Sequence, residues 1–397
     1  MINLEYAVIR LESDQPTDTG DAGSFDFGIP GGVGSGKGSV TVERVDATPE
    51  QLSDLKTDGT VRAAAPVMPL RLVEPEQSTV EPSGEGSTWG IRAVGADTSP
   101  FDGSGITVAV LDTGIDASHP AFASVAVIEK DFTGEGEGDA HGHGTHCAGT
   151  ILGADVEGLR IGIARNIDRV LVGKVLGAGG GDTQAILDAV SWAVAEGAQV
   201  ISMSLGIDFP GMVESLRGKG VPSRAATSMA LAAYRDNVRI FDTIADLAKF
   251  SGPFGRGSVI VAASGNESHR ESTPDSDQTY VIDAAPPATA DGILSVGALS
   301  QQEGEYGIAA FSNTNPDLSG PGVDILSAAA GGGLKGMSGT SMATPHVAGV
   351  AALWAQKLQQ EQAMKVDVLK GALVERTQKT ALSFAEAGRG MVYAPQE

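Results

Sequence analysis

Several residue types and patterns that mark common protein classes are missing from this sequence. It contains one cysteine among 397 residues, so Cys147 has no partner for an internal disulfide. It has no run of about eighteen apolar residues, the length that a membrane-spanning helix needs. Residues 1–11 lack the positive start and the long apolar stretch of a secretory leader. We therefore expect a cytoplasmic protein, or a secreted one if a leader has been removed.

Positive charge is also scarce. Lysine and arginine number 27 against 50 aspartates and glutamates, for a formal net charge of -23. This balance argues against nucleic acid or a membrane surface as partner, and it favours solubility and basic substrates. Neither Glu-x-x-His nor Cys-x-x-Cys is present, so zinc held by His143 and His146 stays a minor alternative and we predict no metal. We expect His119, His146 and His346 to be structural.

Three separated segments carry the residue types of nucleophilic catalysis. The apolar run Ile106-Thr-Val-Ala-Val-Leu111 predicts a buried parallel strand that ends at Asp112, where ligands meet an open α/β sheet. His143 lies in a glycine-rich turn that leads into a helix. Ser341 begins a helix predicted over 341–360, from apolar residues at helical spacing.

A serine hydroxyl is nearly unreactive at neutral pH. It needs an imidazole that takes its proton and a buried carboxylate that orients the imidazole. We assign these roles to Ser341, His143 and Asp112. The unpaired N–H groups of a helix start make Ser341 N–H a candidate oxyanion donor. A second buried strand leads to Asn266, whose side-chain amide would remove ~3 kcal/mol of barrier from such a site.

Four segments in this order resemble the signature blocks of the subtilisin-like serine proteases, or subtilases. They are Val110-Leu-Asp-Thr-Gly114, His143-Gly-Thr-His146, Ala263-Ser-Gly-Asn266 and Gly339-Thr-Ser-Met-Ala-Thr-Pro-His346. The order Asp, His, Ser and the magnitude given for the oxyanion amide both belong to that family. The resemblance extends from about residue 89 to 358. It implies a serine endopeptidase with a three-layer α/β fold and a mostly parallel central sheet.

The same resemblance implies where a peptide substrate binds. Two glycine-rich edge segments would hold an extended peptide through main-chain hydrogen bonds, a mode that tolerates many sequences. They are residues 177–181, with Gly179, Gly180 and Gly181, and residues 202–206, with Ser204, Leu205 and Gly206. Pocket walls would include Leu205, Ser264, Gly265, Ala285 and Ala288. The stretch 283–287 departs from the tyrosine-proline pattern usual there.

Residues 1–85 read as a separate α+β unit with its linker, ahead of a catalytic domain over 86–397. Strands are predicted over 6–11, 39–45 and 61–73, with a glycine-dense loop over 20–39. Thr48-Pro-Glu-Gln51 is a capping box that starts a short helix ended by Gly59. Such a unit resembles the family's inhibitory propeptide, whose tail lies in the active cleft and whose cleavage would fall within 74–87. A plain accessory domain is the alternative.

Two departures from the family carry information. Ala121 and Phe122 stand after His119-Pro120, where a calcium aspartate is usual, and the loop 151–162 is short. We therefore predict no cofactor and no strong calcium site there. An insertion covers about 207–257, predicted as a loop over 210–224 and a helix over 225–250 with a break near Asn237. It would serve as a lid or partner-docking element, or else as an elongated surface helix.

Two other functions remain open at this point. The chain could be a dedicated peptide-maturation protease or a transpeptidase, in which an amine accepts the acyl group. It could also be an inactive module that binds peptides in the cleft. After the catalytic helix, residues 366–377 predict a closing helix and residues 390–393 a small closing strand or tail.

Overall fold

A small antiparallel sheet forms the N-terminal part of the protein. The computed structural model describes residues 3–13, 25–28, 37–78, 80, 86–250, 257–271, 278–302 and 304–397. The N-terminal elements are β1 (Leu4–Ser13), β2 (Phe25–Gly28), β3 (Lys37–Ala47), α1 (Pro49–Leu55) and β4 (Val61–Pro66). The strand order is β2-β3-β1-β4. The loop predicted over 20–39 is therefore wrong at β2 and at the start of β3, and its other residues lie outside the described ranges.

The predicted capping box starts α1. The Thr48 hydroxyl accepts from the N–H of Gln51, and the Gln51 side chain accepts from the N–H of Thr48. Pro49 stands in the first turn, where a missing N–H costs nothing. The helix ends at Leu55, earlier than the predicted stop at Gly59.

Both faces of the N-terminal sheet are apolar. Tyr6 and Val8 pack against Leu52 of α1 on one face. The alternate residues Ala7 and Ile9 belong to a larger apolar cluster shared with the helices of the main body. Because successive side chains of a strand point to opposite faces, the sheet is held between its own helix and the rest of the protein.

Three short strands follow this sheet and pair outside it. They are β5 (Pro69–Leu72), β6 (Glu76–Gln77) and β7 (Gly86–Ser87). The single strand predicted over 61–73 is therefore wrong, because the chain leaves the N-terminal sheet between β4 and β5. At that point Val67 N–H donates to the Glu5 carbonyl and Met68 N–H to the Thr183 hydroxyl. The domain boundary at residue 85 stays a prediction.

The main body contains the remaining elements. Its strands are β8 (Thr107–Asp112), β9 (Ala126–Asp131), β10 (Leu159–Arg160), β11 (Arg169–Lys174), β12 (Gly181–Asp182), β13 (Val200–Met203), β14 (Leu205–Ile207), β15 (Val259–Ala263), β16 (Ile293–Gln302), β17 (Glu305–Ile308), β18 (Leu318–Pro321), β19 (Ile325–Ala328) and β20 (Leu334–Ser338). Its helices are α2 (Trp89–Ala93), α3 (His143–Leu152), α4 (Thr183–Ala195), α5 (Phe209–Gly218), α6 (Ser223–Phe250), α7 (Thr340–Gln360), α8 (Val366–Glu375) and α9 (Phe384–Ala387). A 3-10 turn covers Pro120–Phe122.

An eight-stranded sheet forms the middle layer. Its order is β17-β16-β15-β13-β8-β11-β9, with β18 beside β16, and only the β16–β17 pair is antiparallel. Along β8, Val108 and Val110 belong to the apolar cluster that includes α3 and α7, whereas Ala109 and Leu111 belong to the cluster with α4 and α6. Helices therefore cover both faces, and the predicted three-layer α/β fold with a mostly parallel sheet is confirmed.

The insertion is more helical than the sequence indicated. The loop predicted over 210–224 is wrong for most of its length, because Asp208 caps α5 and Pro210 stands in its first turn. The break predicted near Asn237 is also wrong, since α6 runs from residue 223 to 250 without interruption. The Asn237 side chain is fully buried and hydrogen-bonded, which offsets the cost of a polar residue on the inner face of the helix.

The end of the chain closes one side of the main body. The predicted closing helix is confirmed as α8, with Val366, Leu369 and Leu373 buried. The predicted strand over 390–393 is reduced to isolated bridges of Met391 with Ser319 and Gln378. Within the described residues, no helix has both the length and the apolar character that would let it cross a bilayer.

Candidate active site

The carboxylate of Asp112 and the imidazole of His143 form the centre of the site. Asp112 is the last residue of β8, and His143 is the first residue of α3. The Oδ1 atom of Asp112 lies 2.7 Å from Nδ1 of His143, and both side chains are buried. The N–H of Thr113 donates to the same oxygen at 2.8 Å. This arrangement leaves Nε2 of His143 as the atom that can take a proton.

The pKa of His143 is set by two opposing effects. Burial alone would lower this pKa, because it penalises the charged imidazolium. The charges and hydrogen bonds of Asp112 and Cys147 together outweigh burial and raise the pKa of His143 well above its ordinary value. The imidazolium form is therefore stabilised by its neighbours, as it must be when the ring holds the proton taken from serine.

Close approach of two glycines places α3 against the end of β8. A Cβ atom at Gly144 would lie 2.2 Å from the carbonyl oxygen of Gly114. The N–H of Gly144 instead donates to the Thr113 hydroxyl at 2.9 Å. A larger residue at this position would push His143 away from Asp112, which explains the glycine that follows the histidine.

Ser341 lies in the first turn of α7, fully buried. Its carbonyl oxygen accepts from the hydroxyl of Ser204 at 3.3 Å and from Sγ of Cys147 at 3.4 Å. The same sulfur lies 3.8 Å from Nδ1 of His143. Cys147 therefore bridges the backbone of Ser341 and the ring of His143, so the structure brings these two predicted site residues together with Asp112.

Asn266 is oriented by a residue that the sequence analysis missed. Its Oδ1 atom accepts from both the N–H and the hydroxyl of Thr340, each at 2.8 Å. The Thr340 hydroxyl in turn accepts from the N–H of Gly265 at 3.2 Å. With Oδ1 fixed in this way, the Nδ2 donor faces the opposite direction. Thr340 immediately precedes the serine in the sequence, and that adjacency is the one signal that could have found it.

A segment of the chain itself lies between the two predicted substrate-binding edges. Strand β5 pairs antiparallel with β12 on one side and with β14 on the other. Leu70 is opposite Gly181 and Ile207, and Arg71 is opposite Gly206. Of the other predicted contacts, Gly180 approaches the Leu70 carbonyl so closely that a Cβ there would lie 2.7 Å from it.

The same segment continues into the catalytic centre. The Ser341 hydroxyl donates to the carbonyl oxygen of Val73 at 3.0 Å. The Nδ2 group of Asn266 donates to the next carbonyl, that of Glu74, at 2.9 Å. The Nε2 atom of His143 is buried and makes no hydrogen bond within the described ranges. The serine proton therefore points to the bound segment.

Comparison with known proteins connects this arrangement to one family. The Subtilase family model matches residues 103–390, which include all four segments quoted above. The chain belongs to the subtilase family.

Relatives of this subtilase come from fungi and bacteria. A subtilisin-like protease of Coccidioides posadasii is 35% identical over 306 residues, 72% of this chain and 63% of the relative. An intracellular serine protease of Paenibacillus polymyxa is 31% identical over 303 residues, 73% of this chain and 79% of the relative. The major intracellular serine protease of Bacillus subtilis is 31% identical over 312 residues, 74% of this chain and 83% of the relative. The chain thus spans less than two thirds of the fungal relative and most of the two bacterial ones. By family and relatives it is a subtilisin-like serine protease.

The remaining predicted substrate contacts of the subtilase divide into two groups. Leu205, Ser264 and Ala288 are buried, and Ala285 is half-buried, so their role as pocket walls stays a prediction. Gly179 lies at the exposed tip of a turn closed by hydrogen bonds between Gly177 and Gly180. Gly179 is outside the strand pairing that holds the segment.

Three further histidines of the subtilase hold the fold together. The Nε2 atom of His146 lies 3.0 Å from the carbonyls of Ile325 and Lys335, and burial lowers its pKa to about 3. Nδ1 of His346 lies 2.8 Å from the Met342 carbonyl, and burial lowers the pKa of His346 to about 4. His119 caps the 3-10 turn. The Nε2 atom of His146 is thus committed to carbonyl groups.

The guanidinium of Arg160 hydrogen-bonds to main-chain carbonyls at the short loop where we predict no strong calcium site. Arg160 donates to the carbonyls of Ala96 and Ile163, each at 3.1 Å, and to that of Gly162 at 3.2 Å. The side chain thus hydrogen-bonds to three carbonyl oxygens, the kind of ligand that a calcium ion would otherwise bind. The pKa of Arg160 is lowered by its burial, although a guanidinium stays charged.

Proposed function

We propose that this subtilase is an endopeptidase that is made in a self-inhibited form. Ser341 Oγ attacks the carbonyl carbon of a bound peptide while His143 Nε2 takes its proton. Asn266 Nδ2 and the N–H of Ser341 stabilise the oxyanion. His143 then gives the proton to the departing amine, and water hydrolyses the acyl-enzyme. Substrates are peptides or proteins bound through their main chain.

The strongest support is the position of residues 69–74. This segment fills the cleft as a third strand and brings the Val73 carbonyl to the nucleophile. The side chains of Leu70, Leu72 and Val73 are buried there, at 2, 8 and 4% exposure. A peptide substrate must use the same edges, so the segment and a substrate exclude each other.

The attachment of the N-terminal sheet supports the inhibitory role. The Nδ2 group of Asn237 donates to the Pro66 carbonyl at 2.8 Å. Its Oδ1 atom accepts from the Thr183 hydroxyl at 2.7 Å, and Thr183 also contacts Met68. Arg44 forms an ion pair with Asp182 at 2.6 Å. The Asn237–Pro66 contact supports a role for helix α6 of the insertion in docking the N-terminal unit.

Two of the relatives are named as intracellular proteases. These names support an intracellular site of action for this subtilase. A protease in that setting would benefit from an inhibitor that is part of its own chain.

Chemical labelling and mass measurement test the proposal. Val73→Asp would put a charge at a side chain that is 4% exposed and would thereby displace the segment. We expect a fluorophosphonate to label Ser341 at least tenfold faster in this variant than in the unmodified chain. Ser341→Ala is the control, and it should show neither labelling nor self-cleavage by mass spectrometry.

Three outcomes separate the alternatives. No labelling of folded Val73→Asp would contradict the endopeptidase and favour the peptide-binding module. Equal rates of labelling in the two chains would contradict self-inhibition but not the endopeptidase function. Transfer of the acyl group to an added amine in preference to water would favour the transpeptidase.

A further inference from the structure

One charged side chain of the cleft-bound segment has a partner on the catalytic body. The Nη2 atom of Arg71 lies 2.9 Å from Oε1 of Glu267. Glu267 directly follows the oxyanion residue Asn266 in the chain. Arg71 is therefore bound beside the catalytic centre, on the outward side of a strand whose neighbours Leu70 and Leu72 are buried.

The Glu267 carboxylate is held in place without help from Arg71. Its second oxygen, Oε2, accepts from Nδ2 of Asn313 at 2.8 Å. The Oδ1 atom of Asn313 accepts from the N–H of Glu267 at 3.2 Å and from the N–H and hydroxyl of Ser268 at 3.0 and 3.1 Å. Asn313 is fully buried. A carboxylate fixed by a buried amide loses little side-chain entropy when it binds a cation, unlike an ordinary surface pair.

The register of the strand shows which substrate position this carboxylate would meet. Arg71 is opposite Gly206, and the Val73 carbonyl contacts the nucleophile. A substrate bound in the same register presents to Glu267 the residue two positions before the one whose carbonyl is attacked. Asp283 and Glu267 both act on Tyr234. Burial is the largest cause that raises the pKa of Tyr234, and the charges of Asp283 and Glu267 raise it further. The surroundings of this position are thus acidic.

We propose that Glu267 is a specificity-determining residue that selects substrates with arginine or lysine two positions before the attacked residue. This inference rests on the proposed endopeptidase function. The segment Pro69-Leu-Arg-Leu-Val73 then describes the preferred substrate: apolar side chains in the buried positions and a cation at the outward one. Basic peptides suit an enzyme whose net charge is -23, because their approach is favoured over the whole surface.

Matched peptides test the selectivity directly. Reporter peptides of sequence Pro-Leu-X-Leu-Val, with X as arginine, glutamine or glutamate, are hydrolysed by the full-length Val73→Asp chain. Fluorophosphonate titration of Ser341 sets the active concentration. We expect kcat/KM for arginine to exceed that for glutamine about fivefold and that for glutamate about tenfold or more. Glu267→Gln should bring the arginine-to-glutamine ratio close to one.

A charge exchange tests the same pair within the intact chain. Arg71→Glu should speed fluorophosphonate labelling of Ser341, because the segment is held less firmly. The double variant Arg71→Glu with Glu267→Arg should return the rate towards that of the unmodified chain. Arg224→Glu, an exposed arginine near the start of α6, controls for the change in net charge and should leave the rate unchanged.

The outcomes distinguish this inference from the function on which it rests. Labelling of Ser341 with equal kcat/KM for arginine and glutamine peptides would overturn the role of Glu267 and leave the endopeptidase standing. Failure of the double variant to restore slow labelling would overturn the pairing in the same way. Absence of both labelling and hydrolysis in the Val73→Asp chain would overturn both.

Discussion

Ser341 and Asn266 hold two successive carbonyl oxygens of one peptide segment, those of Val73 and Glu74, at 3.0 and 2.9 Å. Acyl transfer requires the nucleophile and the oxyanion donor to act on a single carbonyl group. Pro75 follows directly and has no N–H to pair with the neighbouring edge. We infer that the strand keeps the register of a substrate, and that the amide of Asn266 favours retention over cleavage because it holds the carbonyl after the one at the nucleophile.

Replacement of the oxyanion amide should slow turnover without loosening the fold. Asn266→Ala in the Val73→Asp background should lower kcat by about 10²- to 10³-fold, the range known for this amide in the family. Thr340→Val removes only one of two bonds that orient Asn266, so we expect a smaller loss. Steady-state kinetics check both variants. A change in KM with no change in kcat would contradict the assignment.

Removal of the docking amide on α6 should release the N-terminal sheet. Asn237→Leu keeps the branched shape of the side chain but leaves the buried Pro66 carbonyl without its donor, which costs about 1–3 kcal/mol. Labelling of Ser341 should therefore accelerate, as the occupied form becomes less favoured. Arg235→Ala, an exposed change on the same helix, is the control. Equal rates in both variants would show that Asn237 serves only the stability of α6.

Stability should fall on mild acidification because of His346. Burial lowers the pKa of this residue to about 4, whereas in the unfolded chain it is about 6.5. The unfolded state thus binds the proton first, so stability is full above about pH 6.5 and declines towards pH 4. At about 1.4 kcal/mol per unit, the loss approaches about 3 kcal/mol.

Thermal unfolding at several pH values measures this effect. The melting temperature should drop between pH 7 and pH 4.5 in the unmodified chain and less steeply in His346→Asn. The comparison concerns the slope, so a constant offset in stability between the two chains does not affect it. Parallel slopes would contradict the role of His346.

A calcium chelator should leave the stability of the loop that holds Arg160 unchanged. The substitution Arg160→Met should lower that stability. The guanidinium satisfies three carbonyls, those of Ala96, Gly162 and Ile163. Its loss should cost about 1–3 kcal/mol, because buried carbonyls remain unpaired. Melting curves with and without a calcium chelator check the first part. A chelator-sensitive melting temperature, together with hydrogen exchange that increases at residues 151–163, would show that calcium binds there.

The sequence predicted the parts of this protein that local chemistry determines. The strand into Asp112, the helix with Ser341 in its first turn and the capping box at Thr48 all follow from patterns of a few neighbouring residues. The unbroken course of α6 could not be predicted, because it depends on contacts of Asn237 with residues 54 and 171 positions away. The bonds that orient Asn266 likewise join distant segments, and no short pattern contains them.

The course of the segment through the cleft has a consequence for the protein after a single cut. Strand β5 is held by β12 and β14 on one side of the nucleophile, and β6 pairs with β20 on the other. A break between them would leave each new end in its own sheet. The nicked protein should therefore elute as one species in gel filtration. Electrophoresis should separate it into two bands only under denaturing conditions. The step that sets the pace of activation would then be departure of the severed fragment, not the cut itself.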